Sequence, residues 1–347
     1  MPTLSAAAGR ARAAQTGRGR RLSQHQTGRA SRYPGLEGAA MILFTLAGWT
    51  SIPIFLRWFK HDIDGWTANG WRYGFSALMW LPVLVWGGVR GTLPKGLFRA
   101  AAIPSFFNVL GQICFGLAPY YISPGLMTFS LRFQIIFLTL GVILLFPSER
   151  RIVKSAGYLV GVGMVLAGTM SVLLLREGGI FEARGGDRPV IGVSLALGAG
   201  LLYAGYAISV RKFMTGIPAF TAFSAVSQYT GVALLGCMAV WGERSGAVLF
   251  DLTNAKILLV LLSAIIGIGI GHTLYYASIN RLGLAVSSGV VQLQPITVSI
   301  VSYFVFGEKL SPAQWGVGLL AIGGAGLILY TQHRMSKAVQ LPVDPVD

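Results

Sequence analysis

Apolar and polar positions in this chain do not alternate with the spacing of a half-buried helix or strand. The apolar residues come in runs of roughly 18 to 22, separated by short polar turns, and a run of that length crosses about 30 Å of hydrocarbon as a helix. Ten such runs fit between Leu36 and Gln332, at 36–57, 68–88, 98–119, 122–146, 155–175, 190–210, 218–241, 256–279, 284–306 and 312–332. The expected fold is an all-α integral membrane protein with ten transmembrane helices.

The pattern occurs twice. Ser287 to Tyr330 reads as an apolar run, a charged turn at Glu308-Lys309, and a second, glycine-rich apolar run; 159 residues earlier Glu149-Arg150 stands in the place of that turn, and Gly157 in the place of Gly316. The end of span 1, LAGWTSIPIFLRWF, matches the end of span 6, LLYAGYAISVRKF, at an offset of 154, with Tyr203 under Trp49. GQICFGLAPYYIS from Gly111 lies under GHTLYYASINRLG from Gly271 at an offset of 160. The chain therefore divides into a basic tail expected to be disordered (1–35), a five-span unit (36–175), a linker (176–189), a second five-span unit (190–332) and a C-terminal tail (333–347). Five is odd, so the second copy must enter the membrane upside down. Inverted-topology repeats recur in secondary transporters, with the substrate site between the halves.

Composition agrees with the pattern: 54% of residues are hydrophobic and 12% charged, which no single soluble core accommodates. A net charge of +16 would suggest nucleic acid in a soluble protein, but its placement argues otherwise. With the N-terminus inside, 18 of the 28 Lys and Arg fall in cytoplasmic segments, while the 8 on the opposite side are matched by acids. Cytoplasmic loops are the ones enriched in basic residues, so both termini are expected in the cytoplasm. Residues 1–33 hold seven Arg and no acid; a solvated tail near anionic headgroups, an organelle transit peptide, and a start at Met41 are all open readings. Cys114 and Cys237 fall within spans and read as small packing residues, and no cofactor or metal is expected. GxxxxGK[ST], HExxH, CxxC and GxSxG motifs do not occur, so an enzyme is not expected.

Ionisable side chains deep in a membrane are costly and mark function by default. Two qualify here, Arg132 and His272. Arg132 shares a helical stripe with Gly125, Thr128 and Thr139, which predicts that it faces protein or water. It reads either as a carboxylate or phosphate anchor or as an Arg held by carbonyls at a helix break. His272, matched by Gln112 in the first unit, reads as a hydrogen-bonded neutral imidazole or as a proton carrier. Span 9 carries a polar stripe of Ser288, Gln292, Pro295, Ser299 and Ser302, read as lining a cavity, with Gln294 at the adjoining kink. Asn108 accompanies Gln112 on span 3, Ser224 and Gln228 share a face of span 7, and Tyr275 and Tyr276 follow His272. Arg72, near the outer end of span 2, is expected to snorkel. The glycines of spans 5 and 10 predict close helix contacts, within the chain or across a homodimer.

Ten spans, Gly48-Trp49-Thr50-Ser51 closing the first helix, Arg72-Tyr73-Gly74-Phe75 opening the second, and the helix-Gly-Glu-Lys-Leu-helix unit of Phe306 to Ala325 resemble the EamA repeat of the drug/metabolite transporter superfamily. The resemblance covers about 36–332 and implies an inner (plasma) membrane permease of bacterial type. It further implies a central cavity built from spans 1, 3, 4, 6, 8 and 9, and export of amino acids, related metabolites or toxic compounds. The first unit departs from the pattern, with Ile136 in the place of Pro295 and Arg132-Phe133-Gln134 replacing small or apolar residues. A carboxylate-bearing solute suits Arg132, with Gln112, His272, Gln292, Gln294, Asn108 and Ser288 as polar contacts and Trp49, Tyr203, Tyr275 and Tyr276 as aromatic walls. The expected partners are a small-molecule substrate and membrane lipid, not nucleic acid. A sensor or assembly subunit that moves nothing is the rival class, and a multidrug or toxic-compound exporter the rival within transporters.

The topology has a direct check. Green fluorescent protein fused after Asp347 is expected to fluoresce and alkaline phosphatase fused there to be inactive, and fusions within 176–189 should behave in the opposite way. An active phosphatase at the C-terminus would overturn the assignment.

Overall fold

The structure is a computed structural model that describes residues 34–145, 150–175, 188–214, 216–282, 290–291 and 293–340. Among these residues the chain is helical, with no strand. The helices are α1 (Pro34–Trp58), α2 (Gly65–Val89), α3 (Leu97–Leu117), α4 (Pro124–Leu131), α5 (Gln134–Leu145), α6 (Arg150–Val153) and α7 (Ala156–Leu174) in the first half. The second half holds α8 (Pro189–Phe213), α9 (Ala219–Trp241), α10 (Asn254–Ser263), α11 (Gly271–Leu282), α12 (Gln294–Phe306) and α13 (Pro312–Gln340).

Local chemistry sets the ends. Asp64 caps α2 by accepting from the backbone N–H of Trp66 and Thr67. Ser123 caps α4, with Pro124 at the first helical position, where a missing N–H costs nothing. Gly307, at φ 67°, terminates α12 in the left-handed conformation. Ser311 and Gln314 then open α13 as a capping box: Ser311 N–H donates to Gln314 Oε1 at 2.9 Å and Gln314 N–H to Ser311 Oγ at 3.2 Å.

Two expected spans are not uniform. Span 4 breaks at Arg132-Phe133 into α4 and α5. Span 8 is continuous, but Ala264–Ile270 is a π-helix between α10 and α11. The i→i+5 pattern shifts the carbonyls, and such bulges recur at functional positions. The last helix runs on to Gln340, past the apolar stretch and into residues read from the sequence as tail.

Six helical stretches among the described residues are long and apolar enough to cross a membrane: Leu36–His61, Leu97–Tyr120, Pro124–Leu145, Pro189–Val210, Phe220–Trp241 and Asn254–Tyr275. Ala156–Val172, Gln294–Phe306 and Pro312–Ile328 are shorter apolar helices. α2 is long enough at 25 residues but carries Asn69, Arg72 and Ser76 at i, i+3 and i+7 on a buried face. The bundle is arranged inside out relative to a soluble one. Phe44, Val89, Val232, Phe304 and other large apolar residues point outward, while Thr45, Asn69, Ser105, Gln112, Thr128, Ser263 and Ser299 are buried. That is the arrangement hydrocarbon demands, because lipid pairs with no polar group.

Helices pair across the halves: α7 lies along α13, α2 along α9, α3 along α8, and α1 along α11. Glycines allow the close approach. A Cβ at Gly161 would meet the Gly324 carbonyl at 2.7 Å, and one at Gly168 the Val317 carbonyl at 2.5 Å. At Gly70 and Gly74 the neighbours are Met238 and Leu235 of α9. A core of Leu56, Phe59, Phe115, Ile122, Met127, Ala196 and Val260, with others, joins both halves.

The α7–α13 seam makes opposite demands at neighbouring glycines. Gly161→Ala is expected to cost about 1–3 kcal/mol, because backbone cannot yield as a side chain can, while Gly163→Ala, with nothing within 4 Å, should be neutral or slightly stabilising. Thermal unfolding of the purified protein in detergent checks the pair; equal effects would mean that the seam is looser than this packing.

Candidate functional site

Arg132 is the residue at which α4 stops. The N–H groups of Arg132 and Phe133 bond three residues back, to Phe129 and Ser130, so the helix tightens into a turn before α5 begins. The guanidinium turns back along α4: Nε donates to the Thr128 carbonyl at 3.2 Å, and Nη2 donates to Gln294 Oε1 at 2.9 Å. The stripe that carries Arg132 faces protein, as its spacing predicts. Thr128 is fully buried, Gly125 lies where a Cβ would sit 2.9 Å from Ser299 Oγ, and Thr139 Oγ1 and Tyr158 Oη share a 2.7 Å hydrogen bond.

Gln294 connects this break to α1. It is 5% exposed, at the start of α12, and its Nε2 donates to the Trp49 carbonyl at 2.9 Å. One residue further, Thr50 Oγ1 and Thr297 Oγ1 share a 2.6 Å hydrogen bond. The Trp49 indole N–H donates to the Gly267 carbonyl at 3.1 Å, one of those displaced by the π-helix. Gly48 lets α1 come that close, since a Cβ there would lie 3.0 Å from the Ile266 carbonyl.

Trp49 also gathers the aromatic groups. Its ring centroid lies 5.2 Å from His272, edge to face, and 5.0 Å from Tyr275. The other face of His272 stacks on Phe223 at 4.9 Å, and its Nδ1 is buried with no partner among the described residues. Arg132, Gln294, Trp49, His272 and Tyr275 thus form one connected set around the middle of α1. A cavity of about 10 Å³ lined by Arg132, Phe129, Pro295 and Ala321 opens beside it, room for one water.

The other expected residues lie in a second set. Asn108 Nδ2 donates to Thr230 Oγ1 at 2.9 Å, and the Gln112 amide reaches Asn108 Oδ1 at 3.4 Å. Asn69 Nδ2 donates to the Gln112 carbonyl at 2.9 Å. Tyr203 packs over Gly111, with its ring 6.0 Å from Phe115. Ser288 and Gln292 lie outside the described residues, as does the Tyr276 side chain.

Two readings change. Of the described part of the span 9 stripe only Pro295 lines a cavity, the small one beside Arg132; Ser299 is buried toward Gly125, and Ser302 Oγ donates to Glu308. A polar stripe fits a cavity wall and a helix contact equally well, so spacing could not decide between them. Arg72 does not snorkel either; it is 3% exposed and donates from Nε to Ser263 Oγ at 2.9 Å. Sequence reading also passed over Thr297, Thr230, Asn69 and Phe223. Asn69, on the stripe with Arg72, left a signal, whereas Thr297 and Phe223 look like ordinary span residues.

Comparison with known proteins agrees with this architecture. The fold and its inward-turned polar groups define an integral membrane protein of the helical-bundle type. Residues 190–330 match the EamA-like transporter family. A protein of Clostridium kluyveri described as an uncharacterized transporter is 23% identical over 167 residues, and the alignment spans 48% of this chain and about half, 52%, of that protein. A solved crystal structure shares the fold with a TM-score of 0.60 at 16% identity, covering 86% of this chain and 98% of its own.

The bridge through Gln294 is directly testable. Gln294→Leu removes the Gln294 partner from Arg132 Nη2 and from the Trp49 carbonyl and is expected to cost about 2–4 kcal/mol of stability, roughly 1–3 per lost partner. Unfolding midpoints in detergent check this, with Thr297→Val, which removes neutral bonds to Thr50 and to the Gln294 carbonyl and touches no charged group, as the milder reference.

Proposed function

We propose that this protein is a ten-span secondary transporter of small carboxylate-bearing solutes, amino acids among them, built from two inverted five-helix repeats of 36–175 and 190–332. It works by alternating access, exports across the inner membrane, and has both termini in the cytoplasm. The observation that carries the solute class is the Arg132 guanidinium held at a helix break, with Nη2 on the neutral amide oxygen of Gln294. A carboxylate bonds a guanidinium about twice as strongly as an amide does and in a bidentate geometry, so a solute can take the place of Gln294 Oε1. Gln294 then becomes a second contact, and Trp49, His272 and Tyr275 form the wall against which the rest of the solute rests.

The helix pairing supports the repeat. Numbering the spans in order, span 5 lies along span 10 and span 2 along span 7, each beside its own counterpart. Span 3 against span 6 is answered by span 8 against span 1, and span 4 against span 6 by span 9 against span 1. Exchange of the halves maps this set of contacts onto itself, which is what a two-fold axis in the membrane plane produces. The cavity at Arg132 is far too small for an amino acid, so a solute is admitted only if α12 moves relative to α1 and α4. The hydrogen bonds Gln294 to Trp49 and Thr50 to Thr297 are the ones such a movement breaks and remakes.

Proteoliposomes holding the purified protein, assayed with a panel of radiolabelled amino acids and other small carboxylates, test the reading. Arg132→Gln is expected to reduce flux of the carboxylate solute by about ten- to a hundredfold, since a charge-assisted hydrogen bond contributes about 1.5–3 kcal/mol. Unchanged flux and affinity in that variant would remove Arg132 from the site, and no flux of any solute in wild type would favour a non-transporting sensor.

A further inference from the structure

At its C-terminal end α2 turns back on itself. Gly91 takes a left-handed φ of 65°, the Arg90 N–H bonds the Trp86 carbonyl at 3.0 Å, and the Thr92 N–H bonds the Gly87 carbonyl at 2.9 Å, a Schellman-type ending. The turn brings Leu93 onto Gly87, where a Cβ would sit 2.7 Å from the leucine side chain. Between this end of α2, the turn and the start of α9 lies a groove of about 440 Å³, lined among others by Trp86, Gly87, Thr92, Leu93 and Thr221. Sites for small ligands occupy roughly 300–1,000 Å³. The groove is separate from both polar sets described above, and it lies on the outside of the bundle: Trp86 is 63% exposed, and Val85 and Val89 beside it are exposed too.

Trp86 carries a cation. The Arg90 guanidinium carbon lies 4.2 Å from the centre of the indole ring, a cation–π contact that holds the charge at the rim of the groove. Lys95 in the same turn, Arg99 in the first turn of α3 and Lys212 near the end of α8 are exposed. Leu84, Leu97, Met214 and Ala225 share one apolar cluster, which gathers these ends of α2, α3, α8 and α9. No acid occurs between Asp64 and Glu149 or between Asp187 and Glu243, so these four helices and the two turns that join them in pairs carry cations alone. Of the acids expected on the same face of the membrane, Glu37 is on α1, which packs chiefly along α11 and α12. Glu149 precedes α6, which lies against α5, α7 and α13, and Asp344 and Asp347 are in the C-terminal tail.

We propose that the groove between α2, the α2–α3 turn and α9 seats one anionic phospholipid, with its phosphate on Arg90 and the upper part of an acyl chain against Trp86 and Leu93. The groove is apolar where it meets hydrocarbon and cationic where α2 ends, so its occupant has to be apolar below and anionic above. Tryptophan and arginine are the side chains that settle at that level of a bilayer. With the N-terminus inside, this end of α2 faces the cytoplasmic leaflet, the one that holds the anionic lipids, and basic pockets between helices on that side take their headgroups. A zwitterionic lipid brings its own cation to a rim that already has one, and a free phosphate has no chain to fill the groove. The site goes beyond the transport reading and does not depend on it, and its ligand has no carboxylate.

The test is native mass spectrometry of the full-length protein in detergent, titrated with phosphatidylglycerol or with phosphatidylcholine of the same acyl chains. The first phosphatidylglycerol is expected to bind about fivefold more tightly than the first phosphatidylcholine, the effect of one basic residue on an anionic headgroup. Arg90→Gln should bring phosphatidylglycerol down to the level of phosphatidylcholine. Lys154→Gln, which removes an exposed cation before α7, should change nothing. Trp86→Leu keeps every charge but loses the ring that holds the guanidinium, and should weaken phosphatidylglycerol about two- to fivefold; it decides the question should Arg90→Gln not fold. Glycerol 3-phosphate should not displace the lipid. Arg132→Gln should bind phosphatidylglycerol as wild type does, so loss of flux in that variant and loss of lipid in Arg90→Gln are independent results. Equal binding of the two lipids by wild type, equal losses in Arg90→Gln and Lys154→Gln, or displacement by glycerol 3-phosphate overturns the proposal.

Discussion

Hydrocarbon offers no hydrogen-bond partner, and every polar feature of this protein is placed under that constraint. Each helix satisfies its own backbone, and its large apolar residues are left to the outside. Side chains that can donate or accept therefore turn inward and have to find one another. Asn69 bonds the Gln112 carbonyl, Asn108 bonds Thr230, and Gln228 bonds the Ala77 carbonyl. Such bonds join helices that are distant in sequence, and in a membrane they do part of the holding that apolar burial does in water. The remainder comes from contact between backbones, which is why glycines recur where α7 meets α13 and where α2 meets α9.

The same constraint explains the site. A helix that breaks inside the bilayer frees backbone groups, and these have to be met nearby. The break after α4 is met by the Arg132 guanidinium reaching back to Thr128, and the π-helix after α10 by the Trp49 indole on Gly267. Both irregularities converge on Trp49, whose own carbonyl is held by Gln294 from the other half. A break is costly unless something uses the groups it releases. Here it puts a guanidinium, an amide and three aromatic rings around one position. Arg72 follows the same logic with its accounts still open, since one of its nitrogens is buried and uncommitted.

How far the sequence could go depended on the range of the interaction concerned. Apolar runs of membrane length are a local property, and all ten expected spans coincide with helices in the described residues, span 9 in its described part. The glycine seams were legible too, because only small residues permit such approach. Arg132 stood out since a charge in an apolar run is locally anomalous. The partner of that charge did not stand out, because Gln294 lies 162 residues away and nothing in its own neighbourhood points to Arg132.

By itself, then, the chain determined that it is helical and membrane-embedded, where the helices run, and which side chains are too polar to face lipid. Those are consequences of transfer energies acting residue by residue. Only the tertiary structure decided what each polar group meets. It split the candidate residues into a set around Trp49 and a set around Gln112, turned the span 9 serines toward helix contacts, and buried Arg72 where snorkelling was expected. A helical period gives the face a residue occupies, but whether that face meets a cavity, a neighbour or lipid is fixed by helices packed from elsewhere in the chain.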